Sequence, residues 1–269
     1  MTEQVLLAFG LTLIAGLATG IGSLLAFMTS TTNTRFLSFA LGFSAGVMIY
    51  VSMIEIFVKA KDALTAALGT EIGYWVTVIG FFCGMLLIAA IDHLIPKQGN
   101  PHELKKVEEM NRPKQTVKDR SLLKMGTFTA LAITIHNFPE GIATFASALQ
   151  DPALGVAIAV AIAIHNIPEG IAVSVPVYFA TESRKKAFRL SFLSGLSEPV
   201  GALIAYLILM PFLNDIMFGI LFAAVAGIMV FISLDELLPA AKKYDQAHLS
   251  IYGVILGMAV MALSLLLFI

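Results

Sequence analysis

Runs of about twenty apolar residues, separated by short polar breaks, follow one another along almost the whole chain. A helix that crosses a bilayer needs about 20 such residues. The pattern predicts eight spans, over 5–27, 36–58, 73–95, 122–146, 153–179, 189–210, 216–238 and 250–269. The one long polar interruption is 96–120, PKQGNPHELKKVEEMNRPKQTVKDR, read as a cytoplasmic loop; with a single histidine it is given no metal role. The expected architecture is an all-α integral membrane protein whose residues 1–269 form one transmembrane domain.

Composition agrees with that pattern. The chain is 58% hydrophobic and 13% charged, with a mean hydropathy of +0.88, whereas soluble domains are about 25% charged. A net charge of −1 gives no nucleic-acid footprint. The lone Cys83 excludes an internal disulfide framework and a cysteine-based zinc site. No phosphate-binding loop of the ATPase type is present, which argues against an ATP-driven pump. The start, MTEQVLLAFG, lacks the basic segment of a cleaved signal peptide.

Charge then orients the spans. Basic residues favour cytoplasmic loops. Under alternating topology, fifteen of the 17 Lys and Arg fall on one side; only Lys59 and Lys61 fall on the other. This predicts a multi-pass protein of the cell (plasma or inner) membrane with both termini outside.

Two internal repeats are visible. AGVMIYVSMIEI (45–56) aligns with AGIMVFISLDEL (226–237) at an offset of 181, and AGLATGIGSLLAF (15–27) aligns more loosely with SGLSEPVGALIAY (194–206) at 179. The first two spans therefore resemble the sixth and seventh, which cross in the opposite sense. Inverted repeats are a transporter signature, with the site near the midplane between them. The second repeat is IHNFPEGIA (135–143) and IHNIPEGIA (164–172), 29 residues apart, on the fourth and fifth spans.

In a helix, residues three and four apart share a face. His136, Asn137 and Glu140 therefore project together, as do His165, Asn166 and Glu169. Pro139 and Pro168 cannot donate to the carbonyls of Ile135 and Ile164, which must find other partners or a cation. His136 and His165 are each roughly 21 Å of helix from the turn near 149–152, which sets the motifs side by side near mid-membrane. Glu198, in SGLSEPVGA, adds a third carboxylate at similar depth. Each such charge costs a few kcal/mol in a bilayer, and divalent cations would offset it. Imidazole and oxygen without thiolate suit Zn²⁺, Fe²⁺, Mn²⁺ or Co²⁺ better than Cu(I).

The paired HNFPEG and HNIPEG with SEP on the sixth span resemble the ZIP family of divalent-metal transporters, over essentially the whole chain. The resemblance implies eight helices in a 3+2+3 arrangement, with inverted repeats of helices 1–3 and 6–8 around helices 4–5. It implies alternating access and import of zinc and other divalent ions (Fe²⁺, Mn²⁺, Co²⁺, Cd²⁺) as substrates, with no catalytic cofactor. It also implies a two-metal centre: Glu140 and Glu169 bridging, His165 and His136 on one metal, Asn137, Asn166 and Glu198 on the other. Met48 matches a position that supplies a soft ligand in relatives. The implied partners are metal ions and the lipid bilayer, and a homodimer is left open.

Each reading has a plainer counterpart. Intramembrane His and Asn can be satisfied structural residues, and Met48 can be core packing. Glu55, Asp92, His93, Asp235 and Glu236, at predicted span ends, can be snorkelling side chains or waypoints of an ion path. Two rival functions are an intramembrane metalloprotease and a metal exporter. The protease normally needs H-E-x-x-H; here the order is H-N-x-P-E. The ligands alone do not exclude export.

Overall fold

The computed structural model describes residues 3–28, 34–94, 120–209, 214–243 and 248–267. The expected cytoplasmic loop lies outside the described residues, apart from Arg120. Among the described residues all regular structure is helical: α1 (Glu3–Met28), α2 (Thr34–Tyr50), α3 (Phe57–Leu68), α4 (Thr70–Leu94), α5 (Arg120–Gln150), α6 (Pro152–Thr181), α7 (Arg184–Gly195), α8 (Ser197–Ile204), α9 (Asp215–Ile232), α10 (Leu238–Lys243) and α11 (Leu249–Leu266). Seven helical runs are long and apolar enough to cross a membrane. α5, with 31 residues, covers the remaining predicted span. Exposed Ile14, Trp75 and Leu86 are suited to lipid.

Local chemistry sets the helix ends. Asp151 caps α6, accepting from the Ala153 and Leu154 amides at 2.9 and 3.4 Å, with Pro152 in the first turn, where its missing donor costs nothing. Asn214 caps α9 through the Met217 amide at 2.9 Å. Gly69, at φ +84°, ends α3 in a conformation that glycine adopts at little cost.

Three helical runs depart from the predicted spans. The second continues through a π-helical turn, Val51–Ile56, into α3 and ends at Leu68 rather than 58. The seventh continues through a π turn, Ser233–Leu237, into α10 and ends at Lys243. Glu55, Asp235 and Glu236 are thus inside helical runs rather than at the span ends the apolar pattern predicts. Polar residues after each π turn extend the helix into the interface, where apolar periodicity no longer reports it. The sixth run breaks at Leu196. Pro199 has no amide to donate, and the restart as α8 places Glu198 in a first turn, where the helix dipole favours a carboxylate.

The helices pack in two groups. α1, α5, α6, α7 and α8 contact one another, while α2 packs on α11 and α4 on α9 and α3; α2–α6 and α5–α9 contacts join the groups. Glycines make the closest approaches. A side chain at Gly22 would run into the Ile167 carbonyl, at Gly170 into that of Thr19, at Gly141 into that of Glu198, and at Gly201 into that of Phe138. Gly46 lies likewise on Val254, and Gly227 on Phe81.

Candidate metal centre

α5 and α6 form a hairpin about Asp151, and both remain helical through Pro139 and Pro168. That continuity keeps each motif on one helix face. Glu140 from α5 and His165 and Glu169 from α6 meet: one ligand atom from each lies within 4.8 Å of the others. His165 Nε2 is 3.2 Å from Glu140 Oε1 and 3.3 Å from Oε2. Beside them, Asn166 Nδ2 donates to Glu198 Oε1 at 2.5 Å and to the Ala15 carbonyl at 2.9 Å. α6 thereby ties α8 and α1 to the cluster.

All of these groups are buried: Asn137, Asn166 and Glu198 are 0% exposed, Glu140 1%, His165 2% and Glu169 5%. Buried polar atoms are normally hydrogen-bonded. Yet among the described residues His165 Nδ1, Asn166 Oδ1 and Glu198 Oε2 have no hydrogen-bond partner. A nitrogen and two oxygens buried without a protein partner are a donor set suited to a borderline or hard cation. Zinc binds such atoms at roughly 2.0–2.2 Å, so two donors on one ion are at most about 4 Å apart. A cluster spread over 4.8 Å would contract by about an ångström around one ion, or hold water or a second ion between its members.

Of the other expected site residues, Met48 is fully buried in the main apolar core with Val51 and Ile162. The His136 side chain lies outside the described residues. Glu55 is half-buried and 3.8 Å from Lys59, and Asp151 is its electrostatic neighbour. Asp92 is half-buried and His93 exposed near the end of α4; Asp235 is exposed and Glu236 half-buried in the second π turn. These five are not among the residues gathered in the cluster.

Supporting contacts were not foreseen. The Ser44 hydroxyl donates to the His165 carbonyl at 3.4 Å, and that of Thr144 to the Glu140 carbonyl at 2.9 Å. Thr144 could have been read as the residue one turn beyond Glu140. Ser44 and the Ala15 carbonyl could not, because they belong to other helices and no sequence spacing links them to the motif.

A carboxylate–imidazole cluster buried among helices able to cross a membrane is an arrangement suited to holding a metal ion inside the bilayer. The comparisons agree: the family described as ZIP Zinc transporter matches residues 92–265, and the chain belongs to that family. Proteins named Zinc transporter ZupT are similar over nearly its full length. That of Oceanobacillus iheyensis is 74% identical over 265 residues, covering 98% of this chain and 99% of the relative. That of Lysinibacillus sphaericus is 72% identical, covering 99% of each, and that of Streptococcus mutans 62%, covering 100% of each. Members of this family are membrane transporters rather than enzymes, which removes the metalloprotease alternative.

Proposed function

We propose that this protein imports zinc into the cytoplasm, with Glu140, His165 and Glu169 carrying the ion and Asn166 and Glu198 beside them. The observation that carries the reading is the buried cluster itself, in which His165 Nδ1 and Glu198 Oε2 have no partner among the described residues. A cation supplies what the protein does not. Three buried carboxylates exceed the charge of one divalent ion, which supports a two-metal centre in which Glu140 and Glu169 bridge and Asn137 contributes from α5. The oxygen and imidazole donors also suit Fe²⁺, Mn²⁺ and Co²⁺ as further substrates; Cd²⁺ is a further, softer substrate that the cluster, lacking a thiolate, does not favour over zinc.

The architecture in this proposal is the 3+2+3 bundle with inverted repeats and outward termini. Its support is that glycine contacts recur at fixed offsets. Gly46 and Gly227, 181 residues apart, each lie on a carbonyl of another helix, and Val254 and Phe81 supply those carbonyls. The π turns at 51–56 and 233–237 also fall at nearly that spacing. Glu55 at one π turn and Asp235 with Glu236 at the other would then be entrance and exit waypoints. π turns inside helices are frequently functional.

Uptake of radioactive zinc into proteoliposomes, with competing metals and purified orientation, tests this. Saturable zinc entry, inhibited by Fe²⁺ or Cd²⁺ and lost in Glu140→Ala, is expected. Zinc movement only in the opposite direction would establish export, and full uptake by Glu140→Ala would remove the cluster from the path.

A further inference from the structure

The contacts that join α1 to α6 and α8 to α5 correspond residue by residue. A shift of 179 takes Gly22 to Gly201 and Thr19 to Glu198, and a shift of 29 takes Phe138 to Ile167 and Gly141 to Gly170. Under both shifts, Gly201 on the Phe138 carbonyl becomes Gly22 on the Ile167 carbonyl, and Gly141 on the Glu198 carbonyl becomes Gly170 on the Thr19 carbonyl. Gly16 and Gly195, also 179 apart, lie on each other's carbonyls and form the pivot. Thr19 therefore occupies beside α6 the place that Glu198 occupies beside α5.

Its side chain is as unusual as its place. Thr12, Thr77, Thr144 and Thr181 each return their hydroxyl to the carbonyl four residues back. Thr19 is 0% exposed, and its Oγ1 has no hydrogen-bond partner among the described residues. The pivot glycine packs directly against it: a Cβ on Gly195 would lie 2.9 Å from the Thr19 Cβ and 3.0 Å from Oγ1. α1 runs antiparallel to α7 and α8, since Gly16 faces Pro199 and Gly20 faces Phe192. Thr19 and Glu198, each three residues past the pivot, thus lie on opposite sides of it, roughly 9 Å apart in depth.

We propose that Thr19 is a further ligand of the ion path, the neutral inner counterpart of Glu198, offering its hydroxyl oxygen to a divalent cation leaving the carboxylate cluster for the cytoplasm. The proposal rests on the transport reading above. Its logic is the difference between the two counterparts. A path needs sites strong enough to fill and weak enough to empty. The Glu198 carboxylate attracts a cation on one side of the pivot. A hydroxyl on the other side replaces hydration water without adding charge, so the ion is passed on rather than trapped.

The test compares Thr19→Val, Thr19→Ala, Thr19→Ser and Thr19→Cys in a Cys83→Ser background, by equilibrium zinc binding and by uptake of radioactive Zn²⁺ and Cd²⁺ into proteoliposomes. Thr19→Val should bind zinc within about threefold of the parent yet take it up about tenfold more slowly at saturation, as loss of one polar contact implies. Thr19→Ala, which only removes atoms, should agree, and Thr19→Ser should restore the rate. Thr19→Cys should raise the Cd²⁺-to-Zn²⁺ uptake ratio at least about fivefold, because a thiolate prefers the softer ion. A purely structural Thr19 would leave that ratio unchanged, and an unchanged ratio with a normal rate in Thr19→Ala overturns the proposal. The same preparations include Glu140→Ala. If it is inactive while every Thr19 variant resembles the parent, only the Thr19 proposal fails; if it transports normally, the reading beneath it fails as well.

Discussion

Gly141→Ala isolates one methyl group at the junction of α5 and α8. A Cβ there would overlap the Glu198 carbonyl, carbonyl carbon and Cα, all backbone atoms that no rotamer change can move aside. Ordinary carbon–oxygen contact needs about 3.3 Å or more, so the helices must separate by over an ångström. Overpacking of a well-filled core costs about 1–3 kcal/mol, and backbone-on-backbone overlap belongs at the upper end, about 3 kcal/mol. The same separation carries Glu198 off Asn166, which now holds it at 2.5 Å. Binding sites tolerate about 0.5 Å of misplacement, so zinc affinity should fall at least about tenfold, equivalent to about 1.4 kcal/mol. Gly10→Ala is the control, because nothing among the described residues lies within 4 Å of a Cβ there. Thermal unfolding in detergent and zinc titration of both variants supply the assay. Equal stability and equal zinc affinity in the two variants would refute the packing argument and the coupling of Glu198 to it.

Three further predictions concern the ion and the membrane. Glu169→Ala should reduce zinc uptake at least about a hundredfold with normal expression, since it removes a charged ligand worth more than about 3 kcal/mol; uptake assays with quantified protein check this. In a Cys83→Ser background, Asp151→Cys should react with an impermeant maleimide outside intact cells and Lys242→Cys only after lysis; the reverse pattern would invert the topology. Glu55→Gln should weaken apparent affinity for external zinc, most at low salt, with little change in maximal rate, because a half-buried carboxylate paired with Lys59 at 3.8 Å raises local cation concentration more than it fixes a site. An affinity equal to wild type at low salt would make Glu55 a snorkelling end.

The spans and the cluster were legible for one reason: both depend on local spacing. Twenty apolar residues announce a crossing, and the i, i+4 spacing of Glu169 to His165 announces a shared face. The π turns were not legible, because a shift of hydrogen-bond register around Glu55 or Glu236 scarcely alters apolar content. The break at Leu196 was foreshadowed by Pro199, but its consequence, a fresh helix start under Glu198, appears only with the backbone. What joins helices was the least visible. Ser44 on the His165 carbonyl, Asn166 on Ala15, and the glycine approaches depend on which helices become neighbours. The weak 15–27/194–206 alignment was the one clue, and through it Thr19 acquires meaning opposite Glu198.

The most direct test of the central claim is zinc X-ray absorption spectroscopy on the purified, zinc-loaded protein and on His165→Ala. The buried Glu140, His165 and Glu169 cluster predicts a shell of nitrogen and oxygen at about 2.0–2.1 Å without sulfur near 2.3 Å. It also predicts an imidazole contribution that shrinks in the variant. A sulfur shell, or a spectrum that His165→Ala leaves unchanged, would contradict it.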